Sequence, residues 1–196
     1  RRPRPMRTFT AVLVATTVSG LAGPALAHTG GAPAAGAMAG FLHPFGGIDH
    51  MLTMIGVGAL AALIGGRATW TVPLAFLAMM TLGAAGGMLG VGLPMVELAI
   101  ALSLIAVGVA TVFGRSMPES AAVAVTGLFA IFHGHAHGTE MGATLSAVQY
   151  AGGFVLATGL LHAGGMIGAR LLARRFADTG TATVRVAGIA IAAVGT

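Results

Sequence analysis

The sequence contains no cysteine and no lysine, and it carries one tryptophan and one tyrosine. Without cysteine there are no disulfides, thiolate metal sites or cysteine nucleophiles. Any metal must be held by His, Asp, Glu, Met, Ser/Thr or backbone oxygen. Charge is equally scarce: charged residues make up 8% of the 196, against roughly 25% in soluble domains. So few charges cannot coat a water-facing surface, and lipid must solvate much of the chain. The positive charges are all arginine, with no basic run beyond residue 7, and aromatics make up 6%. No nucleic-acid partner is expected from that pattern.

What is present is hydrocarbon. Hydrophobic residues are 56% of the chain and the mean hydropathy is +0.92. Residues 6–27, MRTFTAVLVATTVSGLAGPALA, have a basic start, a short apolar stretch and the small-x-small ending Ala25-Leu26-Ala27, the pattern of a cleavable signal peptide. Met6 reads as the start and residues 1–5 as an upstream extension. The competing reading, a first transmembrane helix, suits a longer stretch than one broken by Gly20, Gly23 and Pro24. The signal peptide then occupies 1–27, and 28–196 form a single transmembrane helical domain. Residues 28–40 are expected to be a small-residue segment outside the membrane.

A spanning helix needs about 20 apolar residues. The pattern predicts helices near 48–65, 70–90, 95–113, 120–138, 146–172 and 183–196, the last short for a crossing. The fold class is therefore all-α, a polytopic membrane bundle of about six transmembrane helices. Arg67, Arg115 and the group Arg170, Arg174, Arg175 and Arg185 fall in alternate connections, while the loops around 91–95 and 138–145 have none. The positive-inside rule places the arginine loops in the cytoplasm, consistent with an exported N-terminus. The expected location is the inner membrane of a bacterium, crossed several times, with the mature N-terminus periplasmic. Gly83/Gly87 and Gly86/Gly90 have GxxxG spacing, and Gly164, Gly165 and Gly168 form another small surface; these read as close helix packing rather than chemistry.

Ionisable residues are costly inside a membrane and mark function by default. The first group is HPFGGIDHMLTM, residues 43–54. Pro44, Gly46 and Gly47 predict that His43 lies in a turn or short re-entrant stretch, with Asp49 and His50 in the first turns of the helix that follows. His50 and Met54 share a face. Taken alone, Asp49 is well placed at a helix N-terminus and His43 is an ordinary interfacial histidine; together they point to a site.

The second group is FHGHAHGTE, residues 132–140. On a helix His133 and His137 lie about 40° apart, while His135 points away unless Gly134 and Gly138 loosen the backbone. Glu140 joins the first face if the helix continues. The bland alternative is a solvated histidine-rich loop. Glu97, in the first turn after Pro94, is either a ligand or an acid matched to a helix N-terminus. His162 lies mid-span and either bonds a neighbouring helix or serves as a relay below the outer group. Imidazole suits Ni, Co, Zn and Cu(II), and carboxylates compensate charge.

At these residues the chain resembles the HupE/UreJ proteins. FLHPFGGIDHMLTMIGVG, VELAIALS (96–103), FHGHAHGTEM (132–141) and GFVLATGLLHAGG (153–165) are similar to that family's motifs in the same order, over essentially the whole mature chain. The resemblance implies a small polytopic membrane protein, a nickel or sometimes cobalt permease associated with hydrogenase or urease maturation. It implies that His43, Asp49, His50, Glu97, His133, His135, His137, Glu140 and His162 are the polar motif positions. The expected function is import of a divalent metal, Ni²⁺ first and Co²⁺ next, with Zn²⁺ or Cu²⁺ as other occupants; no prosthetic group and no enzymatic activity are expected. An intramembrane metal-dependent hydrolase is the alternative, although no HExxH motif is present. A metal-binding sensor or accessory protein without transport is the third reading.

Overall fold

Long apolar stretches punctuated by glycine, proline and arginine dictate helices that satisfy their own backbone bonds. The computed structural model describes residues 36–141, 145–175 and 180–194. Among these lie seven α-helices: α1 (Gly36–Leu42), α2 (Ile48–Ile64), α3 (Ala68–Met88), α4 (Val96–Phe113), α5 (Glu119–Met141), α6 (Leu145–Arg175) and α7 (Gly180–Val194). Short 3-10 turns cover His43–Phe45 and Gly114–Ser116, and the described residues contain no strand. The signal-peptide reading of 1–27 falls outside the described residues.

Among the described residues three helical stretches, Ala68–Met88, Val96–Ser116 and Ala147–Arg175, are long and apolar enough to cross a membrane. The pair Gly36–Phe45 and Ile48–Ile64 becomes a fourth if counted together, but it is bent by 82°. α5 has 23 residues, and its three histidines lower its hydropathy. α7 has 15, short of the roughly 20 a crossing needs.

One feature adds to the sequence reading and another decides between its alternatives. α1, at the end of the expected small-residue segment 28–40, is a helix that the hydropathy pattern did not predict. It packs against α6: a Cβ on Gly40 would fall on the Tyr150 carbonyl, and one on Gly153 on the Ala37 carbonyl. Such close tertiary contact overrides the weak helix propensity of glycine. α5 bears out the helix expected near 120–138 and runs on to Met141, without loosening at Gly134 and Gly138.

The reason is the α3–α5 seam. A Cβ on Gly134 would overlap the Met80 carbonyl and one on Gly138 the Ala84 carbonyl. In return, Gly83 faces the Ile131 carbonyl and Gly87 the His135 carbonyl. Contacts advance together along both helices, so α3 and α5 run parallel, backbone against backbone. Gly83/Gly87 thus does what its spacing predicts, whereas Gly90 has open space around its Cβ position.

The interior is formed by Met54, Val57 and Leu60 of α2, Val72, Phe76 and Met80 of α3, Val107 of α4 and Phe154 of α6, all buried. Trp70, Leu74, Leu82, Leu128, Leu156, Leu160, Ile167 and Leu171 point outward and are more than half exposed. A soluble monomer rarely shows so continuous an apolar surface; hydrocarbon is its natural solvent. At the far end of the bundle from α5's histidines, Arg170 Nη2 donates to Thr69 Oγ1 at 3.3 Å, two residues from Arg67. Thr71 Oγ1 donates to Glu119 Oε1 at 2.9 Å. Arg67 and Arg170 therefore gather at one end.

Candidate metal centre

The 3-10 turn and the 82° bend place His43 beside the α2 N-terminus rather than above it. Pro44 at the start of the turn pre-sets its backbone and supplies no N–H to satisfy. Gly47, extended, precedes α2, so Asp49 and His50 fall in its first turn. Asp49 Oδ1 accepts from the His50 backbone N–H at 2.8 Å and lies 3.8 Å from His50 Nδ1. This carboxylate therefore flanks one ring nitrogen of His50 and leaves the other to point inward.

That other nitrogen meets α5. His50 Nε2 lies 3.1 Å from His133 Nδ1 and 2.6 Å from His137 Nε2. His133 Nε2 lies 2.8 Å from Ser103 Oγ of α4, whose hydroxyl also reaches the Ile100 carbonyl at 2.6 Å. Beyond His137, ligand atoms of His43, His137 and Glu140 lie within 4.8 Å of one another. The His43 and His137 rings meet edge-on with centroids 4.7 Å apart.

The result is a row across three α-helices and the 3-10 turn: Glu140 and His43, then His137, His50, His133 and Ser103. Exposure falls along it. Glu140 is exposed and His43 half-buried, His137 and His50 are 4% and 6% exposed, and His133 and Ser103 are 0%. Two imidazole nitrogens on one metal, each at about 2.0–2.1 Å, sit on the order of 3 Å apart. The spacings around His50 Nε2 are therefore close to those of a shared ion. Phe154 walls the row, its ring centroid 4.5 Å from that of His137 and 6.3 Å from that of His50. Beside it α3, α5 and α6 leave an apolar cleft of about 190 Å³ lined by Met80, Met88, His137 and Phe154.

His43, Asp49, His50, His133, His137 and Glu140 thus come together. His135 does not. With α5 wound, it lies on the opposite face, where its Nε2 donates to the Val91 carbonyl in the α3–α4 loop at 2.6 Å. Glu97 is exposed in the first turn of α4. His162 lies deeper, 1% exposed, with Phe76 edge-on to it at 5.1 Å between ring centroids.

Sequence reasoning passed over Ser103, Phe154 and Phe76. Ser103 carried a signal: it is a polar residue inside the apolar stretch VELAIALS. The aromatics carried none, because a phenylalanine in a span reads as filling.

A model of the family described as "HupE / UreJ protein" matches residues 16–196. The chain is 43% identical over 183 residues to "Protein HupE" of Rhizobium leguminosarum bv. viciae, covering 93% of this chain and 94% of that protein. No solved structure matches. With an interior histidine row on an apolar helical frame and a family match over nearly all its length, this chain belongs to the HupE/UreJ family.

Proposed function

We propose that the chain is a permease that imports nickel, with cobalt next, from the periplasm of a bacterium for metalloenzyme maturation, as its family membership suggests. The observation that carries this reading is the graded row. A hydrated cation meets Glu140 and His43 at an exposed mouth, then exchanges water for imidazoles of falling accessibility. Asp49 compensates the ion's charge as water is shed, and the exposed Glu97 attracts it. In this reading the chain crosses the inner membrane about six times after removal of residues 1–27, with α5 and α7 completing the bundle. His162 is a later stop, and His135 is a ligand only if α5 unwinds.

The convergence of ring nitrogens in the row favours this chemistry. His50 Nε2 carries one lone pair or one proton, so it can bond well to only one of His133 Nδ1 and His137 Nε2 at a time, whereas a cation between the three can use them all. A divalent ion at this position replaces protons with a shared positive charge, so binding releases protons. Affinity alone would select Cu²⁺ over Ni²⁺; site geometry and metal supply must set the preference.

The test is accumulation of radiolabelled nickel in cells expressing the chain, competed by cobalt, zinc and copper. Nickel should accumulate well above cells lacking the chain, with cobalt the strongest of the other metals as competitor. No accumulation, with metal still bound by purified protein, would replace the permease by a sensor or accessory protein. Turnover of a lipid or peptide by pure protein would favour the hydrolase.

Two further outcomes follow from the row. Ser103→Ala removes the hydroxyl that orients His133, and loss of such an orienting partner costs about 10–100-fold in metal affinity. Equilibrium dialysis of the variant should show that loss with the fold retained. Uptake should also fall as external pH is lowered, because protons and metal compete for the same imidazole lone pairs. Rates measured between pH 5 and 8 should rise toward the alkaline side.

A further inference from the structure

Below the histidine row the interior holds polar groups that the row does not use. No described residue offers a hydrogen-bond partner to either ring nitrogen of His162, to Thr158 Oγ1 or to Thr53 Oγ1. Thr53 and Thr158 are 0% exposed and His162 is 1%. Buried polar side chains are nearly always paired with protein or water, and a cluster left over calls for a ligand. Threonine in a helix usually turns its hydroxyl back onto the preceding turn, as Thr126 does onto the Ala122 carbonyl at 2.8 Å. Thr53 and Thr158 do not.

These groups share one level. Thr158 and His162 are one turn apart on the same face of α6. His50 lies against Phe154, and Gly58 against the His162 carbonyl. Both helices advance eight residues between those contacts, so α2 and α6 run parallel and Thr53 falls at the depth of Thr158. Phe76 stands between this level and the row above it. It is 0% exposed, with ring centroids 6.1 Å from His133 and 5.1 Å from His162.

We propose that Phe76 is the barrier of a two-stop path, dividing the outer histidine row from a deeper site at His162, Thr158 and Thr53 that takes a divalent cation with part of its water. This rests on the import reading. The outer stop is rich in imidazole and anchored by Asp49. The inner has one imidazole and neutral hydroxyls, so it holds the ion more weakly and with more water. That difference suits release onward. The phenyl ring makes no hydrogen bond, so its swing opens the way without unpairing one.

The test uses the full chain purified in detergent and titrated with Co²⁺, followed by visible absorption and equilibrium dialysis. The parent should bind two Co²⁺, one tightly and one weakly. His162→Ala should lose the weak site alone and His50→Ala the tight one. A parent that binds one ion, or a folded His162→Ala that still binds two, overturns the proposal. Should His162→Ala fail to fold, Thr53→Val with Thr158→Val should weaken the second site by about tenfold or more and leave the first unchanged; an unchanged second site overturns it equally. Phe76→Ala should fill the second site several-fold faster at unaltered stoichiometry, and an unaltered rate removes the barrier. Absence of uptake by cells carrying the parent, with both sites and the Phe76 effect intact, would defeat the import reading and leave the two sites standing.

Discussion

Replacing His50 by alanine should abolish nickel uptake. The ring is the hub of the row: its Nε2 meets both His133 and His137, and its Nδ1 faces Asp49. Removing it takes away one ligand and the common partner that orients two others. Loss of an orienting partner alone costs about 10–100-fold in metal affinity, so loss of the hub should exceed the upper figure. The His133 Nδ1 left buried without that partner also costs about 1–3 kcal/mol. The variant should therefore unfold more readily as well as bind less. His135→Ala is the informative comparison, because that ring is tied to the Val91 carbonyl on the opposite face of the same helix. Its uptake should stay near the parent's. Uptake and equilibrium binding of both variants, measured side by side on folded protein, decide the matter: equal losses would mean that α5 is unwound in the working state, with all three of its histidines turned inward.

Introducing a side chain at Gly134 should collapse the site without touching a ligand. Its Cβ would occupy the place of the Met80 carbonyl, which is backbone and cannot rotate aside. Overpacking a tight interior costs roughly 1–3 kcal/mol even where side chains can shift; here two helices must separate. Gly134→Val should lie at or above that range in detergent unfolding. Because His133 and His137 flank it on the same helix, their rings should leave His50 and metal binding should fall in parallel. Gly164→Ala is the counterpart, since nothing lies near its Cβ position. It should be neutral or gain up to about 1 kcal/mol from helix propensity. Equal behaviour of the two variants would show that the seam is looser than backbone contact.

Hydropathy and arginine spacing made six of the helices legible, with boundaries close to those observed. Each is a long apolar run ended by glycine, proline or charge, and the helix signal is local. α1 was not legible, because its sequence is rich in alanine and glycine and its order comes from packing on α6, a contact between residues more than a hundred apart. Within FHGHAHGTE, helical period alone separated His133 and His137 from His135. It could not decide whether Gly134 and Gly138 would break the helix, since that depends on whether another backbone needs their missing side chains. Asp49, His50 and His43 stood out as polar residues in an apolar chain. Phe154 and Phe76 did not, and the polar signal of Ser103 says nothing of its partner, because what matters about all three is which ring lies opposite, and no single segment carries that information.

The bond from His135 to the Val91 carbonyl has a mechanical consequence. α5 is fastened on one side through the histidine row to α2 and α4, and on nearly the opposite side to the loop that closes through Met95, whose φ of 59° lies in the left-handed region. Its glycines meanwhile rest on the α3 backbone. A rod pinned on opposite faces cannot roll about its own axis, and one interlocked along its length cannot slide. If the opening of the row changes shape as an ion passes, the moving wall is the other one: the 3-10 turn and the start of α2, which carry His43 and His50 on a corner of 82°. The fixed jaw and the hinged jaw are thereby assigned to different stretches of the chain, about ninety residues apart.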